Sequence, residues 1–204
     1  THLLDNPIVH QAVKIEGYDD SFRIIDECAV SGVSSSELYD AVRFIDKNAL
    51  QIYPDLDHRQ ELWDSAHGSW KLQLATGGGK STTFKPVPIF AFAMIDEHNF
   101  GNGVGVNENW ILLSLLGPHL FNTKRRQMMI VVEDMFLFGS LCVSSVLPGF
   151  LSEGIGLGKR PEDWQHDGKR APAFTFIGGS EKSLIARGGS GGIAIWTRLP
   201  NDIR

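Results

Sequence analysis

A glycine-rich stretch, LATGGGKSTT at residues 74–83, carries the residue types that could surround a phosphate group. In a Walker A loop, G-x-x-x-x-G-K-[ST], the backbone N–H groups and the lysine bind the phosphates. The last three positions match here, but Leu74 stands where the first glycine is required. Pro86 and Pro88 exclude the helix whose N-terminus would complete an anion site. We therefore predict a turn between two strands, in which the glycines supply positive φ angles and the lysine stays in water.

Acid–base chemistry has two candidate stretches, and both combine a carboxylate with a nearby histidine. Asp55 and His58 fall in a linker between predicted helices, where such residues are typical of capping. Asp96 and His98 fall at the end of a predicted strand and form a candidate acid–base pair. The seven histidines show no H-E-x-x-H or other paired-ligand spacing. We therefore predict no catalytic residue and no metal site.

Composition narrows the class of protein. The chain has 204 residues, a net charge of -5 and a pI near 5.8, which argues against a protein that coats nucleic acid. Cys28 and Cys142 have neither metal nor redox spacing, so we expect two reduced thiols. No run reaches the roughly 18 apolar residues of a transmembrane helix. We expect any targeting segment to precede Thr1.

The first part of the chain has helical periodicity. Leu38, Val42 and Ile45 recur at i, i+4 and i+7, after serines suited to an N-cap. The predicted helices cover residues 23–30, 36–50 and 57–66. The sequence therefore predicts an N-terminal helical segment over residues 1–65.

From Gly68 onward the pattern changes to strands and turns. Trp70, Leu72 and Leu74 alternate with polar residues, which is the period of a strand with one buried face. Further apolar runs follow at short intervals, and the last two are joined by GGSGG, which predicts a hairpin. About seven to nine strands with short turns predict a barrel or sandwich domain over residues 66–200.

Gly68 and Trp70 form the G-x-W pair that opens the first strand of lipocalin-like barrels, which this part of the chain resembles. In those barrels the tryptophan fills the closed end and is covered by an arginine from the last strand. Arg198 stands where that arginine is expected. The resemblance implies that these three residues close one end of a barrel.

The closing stretch SLIARGGSGGIAIWTR, residues 183–198, resembles the C-terminal signature of the plastid lipid-associated proteins, also called fibrillins. The matching positions are Leu184, Arg187, Gly188 and Gly192. The order of helix, linker and G-x-W strand also agrees with that family, so the resemblance extends over residues 34–199. The three-glycine turn after the first strand departs from the Thr- and Ser-rich turn of the family.

The resemblance implies an α+β protein in which N-terminal helices pack on, or across the end of, a lipocalin-like antiparallel β-barrel. It implies a plastid protein at the thylakoid or plastoglobule surface that binds or shields an apolar molecule (a carotenoid, quinone or lipid) without catalysis. Two alternatives stay open. One is a structural subunit docked on a membrane photosynthetic complex, and the other is an enzyme that modifies a lipid or pigment inside the barrel.

A barrel of about eight strands has room for one small apolar ligand, and its lining comes from inward-facing apolar residues. The predicted lining consists of Leu72, Leu74, Phe90, Phe92, Leu113, Leu115, Ile130, Val132, Phe174, Phe176 and Ile195. A ligand cavity and a filled core need the same residue types, so both interpretations stay open.

Several surface segments are candidates for contact with a membrane or partner. LPGFLSEGIGLG, residues 147–158, is predicted as an exposed loop that is ordered on the surface or touches a membrane. The basic cluster Lys124–Arg126 either meets lipid headgroups or forms a solvated turn. Trp164 is predicted to be exposed and belongs to the interface in the docked-subunit alternative. NFGNGVGV, residues 99–106, is predicted to contain turns.

Overall fold

The computed structural model describes residues 13–78 and 81–200 of the chain. In chain order, the α-helices of these ranges are α1 (Tyr18–Ser31), α2 (Leu38–Lys47), α3 (Ala49–Ile52), α4 (Leu56–Ala66), α5 (Gly149–Ile155) and α6 (Pro161–His166). The β-strands are β1 (Gly68–Ala75), β2 (Lys85–Pro86), β3 (Phe90–Ile95), β4 (Asn99–Asn107), β5 (Trp110–Asn122), β6 (Gln127–Ile130), β7 (Asp134–Leu137), β8 (Leu141–Cys142), β9 (Ala173–Gly179), β10 (Ser183–Gly188) and β11 (Ile193–Arg198).

Helices form at each of the three places where the periodicity predicts them. α1 is bounded by Gly17 and Gly32, which take positive φ angles of 86° and 69° that suit glycine. α2 ends at Asn48, whose side-chain amide donates to the carbonyl of Phe44, so the predicted long helix divides into α2 and α3. Residues 1–12 of the predicted helical segment lie outside the described residues.

Eight of the strands pair antiparallel in a closed cycle. The order is β1, β3, β4, β5, β6, β9, β10 and β11, and β11 then pairs with β1 again. Each of these strands pairs with the next one along the chain, which is the connectivity of an up-and-down barrel. β2 extends β1, while β7 and β8 form an extension beside β5. The α+β class with a large antiparallel sheet is therefore confirmed.

The outer face of this eight-strand ring carries the first two helices. Ile185 lies directly opposite both Ile195 and Gly178, so these three residues share one face. The side chains of Phe22 in α1 and Ile45 in α2 come within 3.0 Å of where a Cβ on Gly178 would lie. The face of Ile185 and Ile195 therefore packs against the helices, and the opposite face points into the ring.

A β-bulge in β1 changes the predicted strand pattern. Leu72 pairs with Trp196, but Leu74 pairs with Ile195, so Gln73 is an extra residue in β1. Trp196 and Ile195 are adjacent in β11 and point to opposite faces. The prediction that Trp70, Leu72 and Leu74 share one face is therefore wrong at Leu74, which faces the helices.

One end of the ring is closed by α4 and by an arginine on the last strand. Trp70 is fully buried, and its indole Nε1 donates to the carbonyl of Ala66 at 2.8 Å. The guanidinium of Arg198 lies over the Trp70 ring, 4.1 Å from the ring centroid. Arg198 also donates to the carbonyls of Ser65 (2.7 Å) and His67 (2.9 Å) at the end of α4. These contacts join the first strand, the last strand and α4 at one point.

Gly68 makes this closure possible. Its φ angle is +124°, and a Cβ atom at this position would lie 2.6 Å from Nη1 of Arg198. Burial lowers the pKa of the Arg198 guanidinium, because removal from water destabilises the charged form. Three carbonyl oxygens, including that of Glu181 at 3.0 Å, replace the lost water.

We expect Arg198→Lys to lower the free energy of unfolding by about 2 kcal/mol or more, because an ammonium group provides neither the planar stack nor the fork of donors. Urea denaturation followed by tryptophan fluorescence measures the change. Arg43→Lys, at an exposed position of α2, is the matched control and should change stability by less than about 0.5 kcal/mol. Equal stability of the two variants would show that Arg198 does not hold the closed end together.

Candidate ligand-binding site

The wall of the ring opens where β6 ends. β6 pairs with β9 only as far as Met129 and Ala173, and the chain beyond leaves β9 and continues beside β5 as β7. Val131 and Val132 are consecutive and both buried, which interrupts the alternation of a regular strand. A Cβ on Gly117 of β5 would clash with the Val131 carbonyl, so glycine is needed beside this irregular segment.

The chain between β8 and β9 covers this opening. Leu157 forms a parallel bridge with Val132, and the N–H of Gly158 donates to the Val132 carbonyl at 2.6 Å. The carbonyl of Pro172 accepts from the N–H of Ile130 at 3.0 Å. α6 lies between these two attachment points along the chain, and α5 directly precedes the first of them. The covering segment is therefore fixed to the edge of the wall on both sides.

A cavity of about 540 Å³ lies inside the ring behind this cover. Its lining comes from β4, β5, β6, α5, β9 and the turn after β10. The lining residues are Phe100, Asn102, Leu115, Ile130, Val132, Ile155, Arg170, Ala171, Pro172, Ala173, Phe174, Gly188 and Gly189. The volume lies within the range of about 300–1,000 Å³ that small-molecule sites occupy.

The cavity is apolar with two polar groups. The rings of Phe100 and Phe174 contact each other in its wall, with centroids 6.0 Å apart and planes tilted by 52°. Asn102 and Arg170 are its polar side chains, and the described lining residues include no carboxylate, imidazole or thiol. The arrangement can therefore bury an apolar molecule and offer an amide and a guanidinium to one polar end of it.

The structure brings together four of the residues predicted to line the barrel. Leu115, Ile130, Val132 and Phe174 border the cavity. Three more lie on the inner face of the ring by their register but outside the cavity lining. They are Leu72, Leu113 and Phe176. Phe176 instead packs with Trp63 of α4 and with Phe121, toward the closed end.

The other four predicted lining residues lie on the outer face. Leu74 and Ile195 pack on the helix side, as the bulge in β1 requires. Phe92 lies opposite Lys71, which pairs with Thr197 on that same outer face, and Phe90 shares its side of β3. The ring of Phe92 covers Gly103, since a Cβ there would lie 2.8 Å from the ring. Alternation in β3 is regular, so its inward positions are Ala91, Ala93 and Ile95 instead.

Phe100, Asn102, Ile155 and Arg170 belong to the cavity but were not among the predicted lining residues. The prediction of turns over residues 99–106 is wrong, because this stretch is strand β4. Its glycines allow close approach of the neighbouring strand: a Cβ on Gly103 would clash with the Leu113 carbonyl. Phe100 and Asn102 are two residues apart, and this spacing is the sequence signal that places both on one face of a strand.

The predicted fibrillin signature holds the hairpin of β10 and β11 in place. Leu184 is buried, and Arg187 forms an ion pair with Asp46 of α2, with Nη2 and Oδ2 2.6 Å apart. Gly188 donates its N–H to the carbonyl of Gly192 at 2.9 Å to form the turn. A Cβ on Gly192 would clash with the carbonyl of Gly77, so the two glycine-rich turns pack directly together at the open end.

The stretch that resembles a phosphate loop lies at this open end. Gly77 has a positive φ of 74°, as predicted, while Gly79 and Lys80 lie outside the described residues. No helix begins within residues 81–89, where irregular chain is followed by β2. The stretch therefore connects β1 to β2 and β3 next to the turn after β10.

Both candidate acid–base stretches make capping or turn contacts, and Nδ1 of His58 lies 2.7 Å from Oδ1 of Asp55. Asp55 caps α4 by accepting the N–H of His58 at 3.0 Å, as predicted. Asp96 accepts the N–H groups of His98 and Asn99 in a turn, at 2.8 and 2.7 Å. Within residues 13–78 and 81–200, no three His, Cys, Asp or Glu side chains are placed to hold a metal ion.

The surface segments differ from their predictions. The predicted loop over residues 147–158 contains α5, and Trp164 packs closely over Gly156 rather than standing free. Arg126 of the basic cluster turns inward and donates to the Phe176 carbonyl at 2.9 Å, and burial lowers its pKa. Arg125 stays on the outer surface. The described part of the chain has no helix that is both long and apolar enough to cross a membrane.

Two solved structures are similar to this chain. A lipocalin-like protein from Bacteroides uniformis shares 15% identity, with a TM-score of 0.43, over 66% of this chain and 99% of that one. An uncharacterized protein from Bacteroides eggerthii shares 11% identity, also with a TM-score of 0.43, over 65% of this chain and 98% of that one. No family model and no curated protein matches the sequence. The resemblance to fibrillins therefore stays a prediction.

We expect Gly192→Ala to lower the free energy of unfolding by about 1–3 kcal/mol, because the new methyl group overlaps the Gly77 carbonyl. Gly189→Ala is the matched control in the same turn, since a Cβ there meets nothing within 4 Å. Thermal unfolding of both variants tests the contact. A loss for Gly189→Ala as large as that for Gly192→Ala would contradict this account of the turn.

Proposed function

We propose that this protein binds or shields an apolar small molecule, such as a carotenoid, quinone or lipid, inside a lipocalin-like barrel at a plastid membrane surface. The observation that carries the proposal is the cavity inside the ring, whose walls include Phe100, Leu115, Ile130 and Phe174. Side chains leave this volume unfilled although the rest of the core is packed. An apolar ligand is the kind of molecule that such walls stabilise.

The chemistry of the lining supports binding rather than catalysis. A general acid or base must lie within hydrogen-bond reach of the reacting group. The described lining residues contribute an amide and a guanidinium, which orient a ligand through hydrogen bonds, and include no carboxylate, imidazole or thiol. The proposed role is therefore that of a carrier or a protective container.

The plastid location and the thylakoid or plastoglobule surface rest on the resemblance of the sequence to fibrillins. The signature residues that carry it form the β10–β11 hairpin and its contact with the turn after β1. Both turns lie at the open end, beside the cavity. The part of the chain that resembles fibrillins therefore includes one lip of the proposed site.

Exposed apolar side chains near the open end support a location at a membrane. Trp110 begins β5 at this end, and its side chain is 69% exposed. Phe138, in the adjoining β7–β8 turn, is 71% exposed and has a positive φ of 51°, which is unfavourable for an aromatic residue. Phe150 of α5 is 74% exposed. A lipid surface provides an apolar environment for such side chains.

The charge pattern favours lipid over a polar partner. Residues 135–152, which span the β7–β8 turn and the start of α5, contain no Asp, Glu, Lys or Arg. Charged side chains are costly to bring into the apolar part of a bilayer, and this stretch has none. A docked structural subunit of a photosynthetic complex would use the same side chains, but it would not need the cavity.

We expect the purified 204-residue chain, after incubation with a plastid lipid extract, to retain an apolar molecule that organic solvent releases and mass spectrometry identifies. Ala171→Trp should reduce the recovered amount by about tenfold or more, because the indole fills the cavity mouth. Leu50→Trp, at an exposed position of α3, is the control and should recover as much as the unmodified chain. Failure of the unmodified chain to retain any apolar molecule would overturn the proposal and favour the structural subunit.

We expect the combined change Phe138→Asn and Phe150→Ser to weaken binding to phosphatidylcholine vesicles by about tenfold or more, since each ring removed from lipid loses roughly 1.5–3 kcal/mol. Asparagine tolerates positive φ, so the first substitution relieves backbone strain. Co-sedimentation with the vesicles measures the effect.

The matched control for vesicle binding is Val33→Ser with Leu50→Ser. These residues are 64% and 68% exposed and belong to the helical part of the chain. The control variant should sediment with vesicles as the unmodified chain does. An equal effect of both pairs of substitutions would mean that the open end is not the lipid-contacting surface.

A further inference from the structure

A second concavity lies on the outer surface, next to the cavity. It has a volume of about 620 Å³ and is bordered by β6, α6, β9 and the turn after β10. We call it the cationic groove, because its charged lining is mainly basic. Its charged lining residues are Arg125, Lys169, Arg170, Arg187 and Glu162.

Three of these cations form no salt bridge in the described part of the chain. Arg187 is bound to Asp46, but no salt bridge among residues 13–78 and 81–200 involves Arg125, Lys169 or Arg170. Glu162 is the one carboxylate of the groove lining within those residues. The whole chain has a net charge of -5, so the positive charge of the groove has the opposite sign to that of the protein as a whole.

The cavity and the cationic groove share five lining residues, most of which are small. Both are bordered by Arg170, Ala171, Ala173, Gly188 and Gly189, which we call the lip. Four lip residues are alanine or glycine, so little side-chain bulk separates the two volumes. Arg170 is exposed and borders both, and its long side chain is the lip's charged group.

We propose that the ligand is an amphipathic anion, whose apolar chain occupies the cavity and whose carboxylate or phosphate head crosses the lip to Arg170 and Lys169. The inference rests on the proposed function and narrows its ligand class. Arg170 provides a planar fork of donors that matches either head group. A neutral carotenoid or quinone makes no use of these charges, so Arg170 is the residue that determines specificity.

Competition with a fluorescent fatty-acid probe for the 204-residue chain tests the inference. The experiment is done at about pH 8, where the carboxyl groups of free fatty acids are ionised. The competitors are palmitate, methyl palmitate and hexadecyl phosphate. We expect palmitate to bind about tenfold more tightly than its methyl ester, because the charge-assisted hydrogen bonds need the free carboxylate. The relative affinity of hexadecyl phosphate shows which anionic head the lip prefers.

The variant Arg170→Ala with Lys169→Ala should bind the ester as before and lose the preference for the acid. Arg170→Glu should reverse that preference, because a carboxylate repels the head group. Arg43→Ala, which removes an exposed arginine that borders neither volume, is the control and should keep the preference. Added salt should reduce the preference, since exposed charges are screened.

The outcomes separate this inference from the proposed function. Equal affinity of the unmodified chain for palmitate and methyl palmitate overturns the inference that the ligand is an anion. It leaves the proposed apolar binding site in place. A preference for the acid that survives Arg170→Glu places the head group elsewhere and also overturns the inference. Absence of binding by all three competitors overturns the inference, while the proposed function stands or falls by the apolar molecule retained from the plastid lipid extract.

Discussion

The contact between Arg198 and Trp70 fixes the geometry on which the rest of the fold depends. It joins the two strands that complete the ring and ties both of them to the end of α4. A planar cation over an indole, with its donors directed at carbonyl oxygens, has few alternative arrangements. Once the first and last strands are held in this register, the intervening strands have to follow one another around the ring.

The two ends of the ring differ in a way that follows from this constraint. At the closed end, aromatic rings pack tightly, with Trp63 stacked on Phe121 at 4.2 Å between centroids. The open end consists of glycine-rich turns and short helices, which bury little side-chain area. Strands β6 and β9 can therefore separate there without disturbing the core, and an unfilled volume is tolerated where packing is least demanding.

Features that depend on the periodicity of a single segment could be predicted from the sequence. Features that depend on how two strands pair could not. Helix positions and the antiparallel sheet follow from side-chain patterns within one segment, and the structure confirms them. The face of Leu74 depends on an extra residue in β1 opposite β11, and this bulge leaves no signal in an alternating apolar pattern. β4 was mistaken for a turn because glycine usually marks turns, whereas here glycine allows another strand to approach.

The predicted lining shows the same limit more directly. The apolar run of β3 predicts that Phe90 and Phe92 face the interior, yet its inward positions are Ala91, Ala93 and Ile95. Trp70 already occupies the ring opposite Ala93, so a small residue fits there. Beside the contacting rings of Phe100 and Phe174, a volume of about 540 Å³ is left unfilled. Its walls include residues of β4, β5, β6 and β9 that the pairing of these strands brings together. This pairing is a property of the assembled ring, and no single strand of the sequence contains it.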